Sequence, residues 1–272
     1  VAVSPVPRAL APYVTAIVAY DVDVGAPGIH RGLPGPEVTL ELPLDQPLDV
    51  EWAGRPASRR REWSCVSGLH TRAATIHHDG RQHGVSVHLT VAGARALLGL
   101  PSGELAGQLA TLDEVDPGLR HLPEALAYAP GDAVATTARA LLDALARRGE
   151  PAARAEVGRA LARLTRGARV AETAADVGYS RRRLQDLVRA ECGLSPGDLR
   201  RVARLARSRQ ALVLAVRDRR GTLADVAAVT GYADHAHMTR DWAALAGCTP
   251  STWVREEFPF VQDVPVDGTP GW

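Results

Sequence analysis

The sequence has no lysine. All 32 of its basic residues are arginine, a bias that points to a GC-rich coding sequence rather than to a special chemistry. Cysteine is scarce. Cys65, Cys192 and Cys248 are odd in number and widely spaced, which fits neither a zinc knuckle nor a disulfide framework. Cys192 and Cys248 read as small buried side chains at helix ends. No run of about 18 apolar residues occurs, so no membrane-spanning helix is expected. The first residues lack a basic region followed by an apolar stretch, so no secretory signal is read there and a cytoplasmic location is expected. There is no glycine-rich phosphate loop, and no Ser-His-Asp or Cys-His constellation can be argued from spacing. No catalytic residue, metal or cofactor is therefore expected. What remains is an ordinary globular composition over 272 residues, long enough for two domains with real cores.

One pattern occurs twice in the last third of the chain. The first copy reads Ala174-x-x-x-Gly178-Tyr179, then Leu184, then Gly193-x-Ser195-Pro196. The second reads Ala227-x-x-x-Gly231-Tyr232, then Met238, then Gly247-x-Thr249-Pro250. Repeats are sought first because they fix architecture. A small residue one turn before a glycine lets two helices cross closely, and the glycine can take the left-handed conformation that ends a helix. Ser180 and Asp234 are good caps for the helix that follows. Leu184, Leu187 and Val188, and then Met238, Trp242 and Leu245, are spaced for one buried face. Ser195-Pro196 and Thr249-Pro250 each set a capping hydroxyl before a proline that starts another helix. The first of these, from Pro196 to Val216, has apolar residues inside and arginines outside, and joins the two helix-turn-helix units at fixed separation.

Charge follows the same division. Residues 1–150 carry 13 Arg against 17 Asp and Glu, a balance of −4; residues 151–272 carry 19 Arg against 14 acids, a balance of +5. Within residues 154–255 the figures are 19 and 10, or +9. A basic region coinciding with a doubled helix-turn-helix is the electrostatic signature of nucleic-acid binding. The bland alternative is a structural helical repeat with solvated arginine faces. The two motifs, their long joining helix and the G-x-[ST]-P endings resemble the DNA-binding domain of AraC/XylS-type transcription regulators, over about the last 120 residues.

The front of the chain reads differently. Strands are expected over 13–24, 38–44, 48–52, 63–69, 74–78 and 84–89, with alternating Val38 to Leu42 and Val85 to Leu89 as half-buried examples. Gly-Pro clusters around 25–36 mark a turn-rich connection, and Arg59, Arg60 and Arg61 read as a solvated loop. Helices are expected over 91–98, from a Ser102 cap to Leu109, over 117–128, and from an Asp132 cap over 133–148. Gly149, Glu150 and Pro151 mark the boundary, 155–165 opens the second domain, and 263–272 reads as a loose tail. His70, His77, His78, His83 and His88 lie close in sequence. His77 and His78 point to opposite faces of a strand, and structural or ligand-contacting roles outrank metal binding. Gly68 to Arg72 and Gly84 to Leu112 are similar to the N-terminal domains of some AraC-type regulators, which implies a part that senses a small-molecule effector or pairs protomers.

The expected fold is therefore α+β. Residues 1–150 form a β-rich barrel or sandwich with added helices; residues 151–272 form an all-α domain with two helix-turn-helix units. The resemblance places base-reading positions at Arg182, Gln185 and Asp186, with Ser180 capping and Arg181 and Arg189 outward. Arginine suits guanine and glutamine suits adenine. Asp186 departs from the basic or neutral residue usual there; it either accepts from cytosine or orients Arg182. The matching second set is His235, Ala236, Thr239 and Arg240, fewer in charge, so the first unit should supply most of the affinity. Arg240 alternatively pairs with Asp234 or Asp241 as a surface arginine. The function expected is a sequence-specific DNA-binding transcription regulator. Its partners would be double-stranded DNA, an effector, RNA polymerase and a second copy of the chain through the 133–148 helix, with no membrane. The alternative is an enzyme or repair protein with an appended DNA-binding domain.

Overall fold

A computed structural model describes residues 2–3, 5–128, 130–148 and 155–261. The expected boundary at 149–151 and the expected tail at 263–272 lie outside the described residues. The strands are β1 (Ala2–Val3), β2 (Val14–Asp23), β3 (Gly28–Gly32), β4 (Val38–Pro43), β5 (Leu48–Trp52), β6 (Arg55–Glu62), β7 (Cys65–Ser67), β8 (Ala74–His78), β9 (Arg81–Leu89) and β10 (Leu109–Ala110). They form a six-stranded sheet in the order β1-β2-β9-β4-β7-β10 and a four-stranded sheet in the order β3-β8-β5-β6, each with antiparallel pairing.

The alternation in the sequence becomes the two faces of the larger sheet. Val38, Leu40 and Leu42 stand opposite Leu89, Val87 and Val85, and all six are fully buried. A bulge between Val14 and Ala16 re-phases β2 so that Val14 and Ile17 both join this core despite their odd spacing. The opposite face carries polar groups. Ser86 Oγ donates to Glu41 at 2.7 Å, His88 lies 3.2 Å from Glu37, and Thr15 donates to Glu37 at 2.7 Å. Burial raises the Glu41 carboxyl, with Ser86 opposing. Burial lowers His88, yet the Glu37 hydrogen bond and charge prevail and leave its pKa raised.

Four strands depart from the expectation, and two of them, β1 and β10, are two-residue edges of the larger sheet, β10 beginning where the expected 102–109 helix ends. β6 occupies the stretch read as a solvated loop, and β3 lies in the Gly-Pro connection. Both are edge strands, where charge and glycine are tolerated because only one side needs pairing. On β6, Arg59 grips Asp49 at 2.7 and 2.8 Å, and Arg60 reaches Glu114 at 3.1 Å.

The helices that follow are α1 (Val91–Gly93), which runs into a π turn at Ala94–Leu98, then α2 (Leu112–Val115), α3 (Leu122–Tyr128) and α4 (Ala133–Arg148). The helix expected from Ser102 to Leu109 is only a 3-10 turn, Ser102–Leu105. Ser102 does not cap it; its hydroxyl donates to the Glu191 carbonyl at 3.0 Å. α4 buries Ala133, Thr137, Ala138, Leu141 and Ala144, and packs on β2 and the π turn of its own domain. Of the apolar face expected to pair two protomers, Ala138 and Leu141 are buried, while Val134, Leu142 and Leu145 are only half-buried.

The C-terminal helices are α5 (Ala155–Thr165), α6 (Val170–Asp176), α7 (Arg181–Cys192), α8 (Pro196–Arg217), α9 (Leu223–Val229), α10 (His235–Ala246) and α11 (Pro250–Val261). α8 runs through their centre, touching α5, α7, α9, α10 and α11. Trp242 is completely buried against it; its indole N–H donates to Ser208 Oγ at 2.9 Å, and its ring lies 5.5 Å from that of Trp253. No helix among the described residues is long and apolar enough to cross a membrane. The cysteines are buried, and burial pushes Cys65 up to about 12 and Cys192 up to about 11, the opposite of what a reactive thiol needs.

Candidate nucleic-acid interface

Each helix-turn-helix is built by local chemistry. Gly178 and Gly231 end α6 and α9 with φ of 73° and 81°, a conformation a side chain would strain. Ser180 Oγ accepts the Arg183 N–H at 3.2 Å and starts α7. Asp234 accepts the His237 N–H at 2.6 Å and starts α10. That bond holds the Asp234 carboxyl below its ordinary value. The second turn is longer by Ala233, as its cap position requires.

α7 buries Leu184, Val188 and Cys192 and turns the rest of its surface outward. Ser180, Arg181, Arg182, Gln185, Asp186 and Arg189 are all exposed. No ion pair joins Asp186 to Arg182 among the described residues, so Asp186 does not orient that arginine in the free protein.

α10 is less generous. His235, Ala236 and Arg240 are exposed, but the Thr239 hydroxyl donates to the His235 carbonyl at 2.9 Å, within its own helix. His237 turns inward, edge-on to Tyr232 at 5.3 Å and 3.4 Å from Arg204. Asp241 also faces inward. It is 7% exposed and accepts from Arg201 at 3.1 Å and from Arg204 at 2.6 Å. It is therefore no partner for Arg240, whose charge instead helps to hold the cap Asp234 ionised. Arg204 also lies over the Tyr232 ring, 4.4 Å from its centre. The arginines of α8 are thus not simply outside, as the sequence pattern predicts; Arg201 and Arg204 fasten α10 to the central helix. The signal available was the position of Asp241 on the Met238–Trp242–Leu245 stripe.

The N-terminal half meets this domain along a seam. Arg95 binds Glu191 of α7 at 2.8 and 3.1 Å, beside the Ser102–Glu191 contact. A β-carbon on Gly103 would lie 2.6 Å from the Ala190 carbonyl oxygen, so glycine is required for the approach. Elsewhere Glu257 of α11 accepts the Arg31 N–H of β3 at 2.9 Å, and Glu256 pairs with the Arg31 side chain at 3.0 Å. α11 in this way closes the free edge of β3.

The histidines do not converge. His88 belongs to the Glu37 network, His77 sits 3.8 Å from Glu51, and His78 lies near His30 with ring centres 5.8 Å apart. His70 packs on Trp52 at 4.6 Å, and burial lowers it to about 4. His83 is half-buried on β9. Among the described residues no group of three or more His, Cys, Asp or Glu could hold a metal ion.

Residues 173–256 match the family described as a helix-turn-helix domain. No curated protein matches the chain. The fold is similar to solved structures of ToxT from Vibrio cholerae. One, at 1.65 Å resolution, has a TM-score of 0.53 at 10% identity, covering 88% of this chain and 97% of that one. A second, wild-type ToxT bound to an unsaturated fatty acid, has a TM-score of 0.51 at 8% identity, covering 88% and 94%. Another, bound to (E)-4-(8-methylnaphthalen-1-yl)but-3-enoic acid, has a TM-score of 0.51 at 11% identity, covering 88% and 98%.

Proposed function

We propose that this chain, which carries an AraC-type helix-turn-helix domain over residues 173–256, is a sequence-specific transcription regulator that sets α7 and α10 into adjacent major grooves. One observation supports this above the others: two capped helices with outward polar faces are mounted on a single helix, α8, of 22 residues. At about 1.5 Å per residue that helix is about 33 Å long, close to the roughly 34 Å between successive major grooves. Arg182 and Gln185 would read base edges on the first groove. Arg181 and Arg189 would hold phosphates, and the Ser180 cap would fix the angle of entry. His235, Ala236 and Arg240 would meet the second groove, where Thr239, with its hydroxyl donated inward, would offer mainly its methyl group to thymine. Asp186 would accept from cytosine N4.

Residues 1–150 act in this reading as the regulatory domain and residues 151–272 as the reader, in the cytoplasm and without a catalytic step. The seam through Glu191 ties the regulatory half directly to the first recognition helix. A small apolar carboxylic acid is the first effector class to test, because two ToxT structures of similar fold hold such acids. RNA polymerase and a second copy of the chain, met through the half-buried side of the 133–148 helix, are the protein partners this role calls for.

Selection of bound sequences from random double-stranded DNA tests the proposal. The expected result is an asymmetric site with two conserved blocks about 10 base pairs apart. Binding with no enriched sequence, or a single enriched block, would overturn it.

A further inference from the structure

We propose that the arginine-lined cleft on α8, between the two helix-turn-helix units, binds a phosphate oxyanion. Arg200, Arg204 and Arg207 recur at spacings of four and three, so they share one stripe of α8. Arg166 and Gly167, from the turn after α5, close one side. Val229, Thr230 and Gly231, at the end of α9, close the other. The cleft between them measures about 240 Å³, several times the roughly 30 Å³ share of one water molecule.

Its charge is not balanced from within. Arg166, Arg200 and Arg207 have no carboxylate partner among the described residues, and Arg204 shares Asp241 with Arg201. Arg200 and Arg207 are instead steadied by carbonyls: Arg200 donates to Gly167 O at 3.2 Å and Arg207 to Thr165 O. Each guanidinium has five donors, so most remain free. The Nε atoms of Arg200 and Arg204 are buried without an acceptor, a rare condition in a folded chain and a further sign that these arginines are not satisfied from within. Burial, and then the charges of Arg204 and Arg200, disfavour the charged form of Arg207. A bound dianion removes that opposition. Guanidinium groups fit phosphate through paired N–H bonds.

Two sources supply this chemistry. One is the DNA backbone between the two grooves, which rests on the function proposed above. The other is a free phosphate, alone or on a small molecule. Two variants of the full chain separate them: Arg166→Ala, whose side chain is exposed, and Arg200→Gln. Pyrophosphate is titrated by calorimetry without DNA, and affinity for the selected DNA site is followed against salt. A backbone phosphate predicts that each variant weakens binding to all sequences alike and lowers the logarithmic salt slope by about 1. A free anion predicts that pyrophosphate binds the wild type at least tenfold more tightly than either variant, with the salt slope unchanged. If no DNA sequence is selected, the pyrophosphate arm and the salt slope on random DNA still decide. The proposal is overturned if pyrophosphate binds neither wild type nor variant and both variants, at wild-type denaturation midpoints, keep the wild-type salt slope.

Discussion

Asp241→Asn tests what holds the second recognition helix in place. The substitution keeps the shape of the side chain, removes its charge, and turns an amide toward two guanidinium groups. The Arg204 pair is the stronger, since the two side chains are 18% and 10% exposed at 2.6 Å. A hydrogen bond to a charged group in such a setting is worth about 1.5–3 kcal/mol. Arg201 is 39% exposed, so its share is under about 1 kcal/mol. Asparagine retains one acceptor oxygen, which returns part of the loss. The expected destabilisation is about 2–3 kcal/mol, read as a lower urea midpoint at constant slope. That is small enough beside a domain stability of about 5–15 kcal/mol for the chain to remain folded. Because the ion pairs of Asp241 join α10 to α8, footprinting should show protection lost over the block read by α10 and kept over the other. A cycle with Arg204→Met should give a coupling above about 1 kcal/mol. A loss below about 0.5 kcal/mol with both blocks still protected would refute the anchoring role.

Arg182→Ala should relax base choice at one position and cost about 1–3 kcal/mol in a competition assay; Arg240→Ala should cost less at the same salt, and the reverse order would overturn the division of labour between the units. Trp242→Phe removes the donor to Ser208 and leaves a void, so it should lower stability by about 1–3 kcal/mol; an unchanged midpoint would show that this bond contributes nothing. Burial pushes the Glu257 carboxyl up to about 7 from an ordinary 4.5, so the folded chain keeps a proton that the unfolded chain has released. The resulting stability is complete below about pH 4.5 and is lost as pH rises through 7, a change on the order of 1–2 kcal/mol after screening. Glu257→Gln should flatten that dependence in denaturation runs at about pH 5 and pH 8, and an unaltered slope would exclude Glu257 as its source.

The C-terminal helices were legible because their ends are made locally. A cap, a glycine and an apolar stripe within a dozen residues place α7 and α10, and the long apolar pattern places α8. β4 and β9 were legible by alternation. β3 and β6 were not, because an edge strand needs neither an apolar rhythm nor freedom from charge. That Arg181, Arg182, Gln185, Asp186 and Arg189 of α7 face outward followed from the buried stripe opposite them. What a single helix cannot reveal is which of its charges meets a partner across the fold. His237 on α10, and Arg201 and Arg204 on α8, look like surface residues in sequence and become inward ones only when two helices are brought together.

The meeting of Gly103 with the end of α7 bears on how such a protein would be engineered. Gly103 sits where a single methyl group would strike the Ala190 carbonyl, and its own backbone needs no unusual angle. Enlarging this one residue therefore acts as a wedge driven between the halves, sparing every side chain that faces outward on α7. Deleting the front half would instead strip Glu191 of Arg95 and uncover surface that folded against it. For a permanently uncoupled version of the protein, a graded series at position 103, from alanine to valine, is the finer instrument.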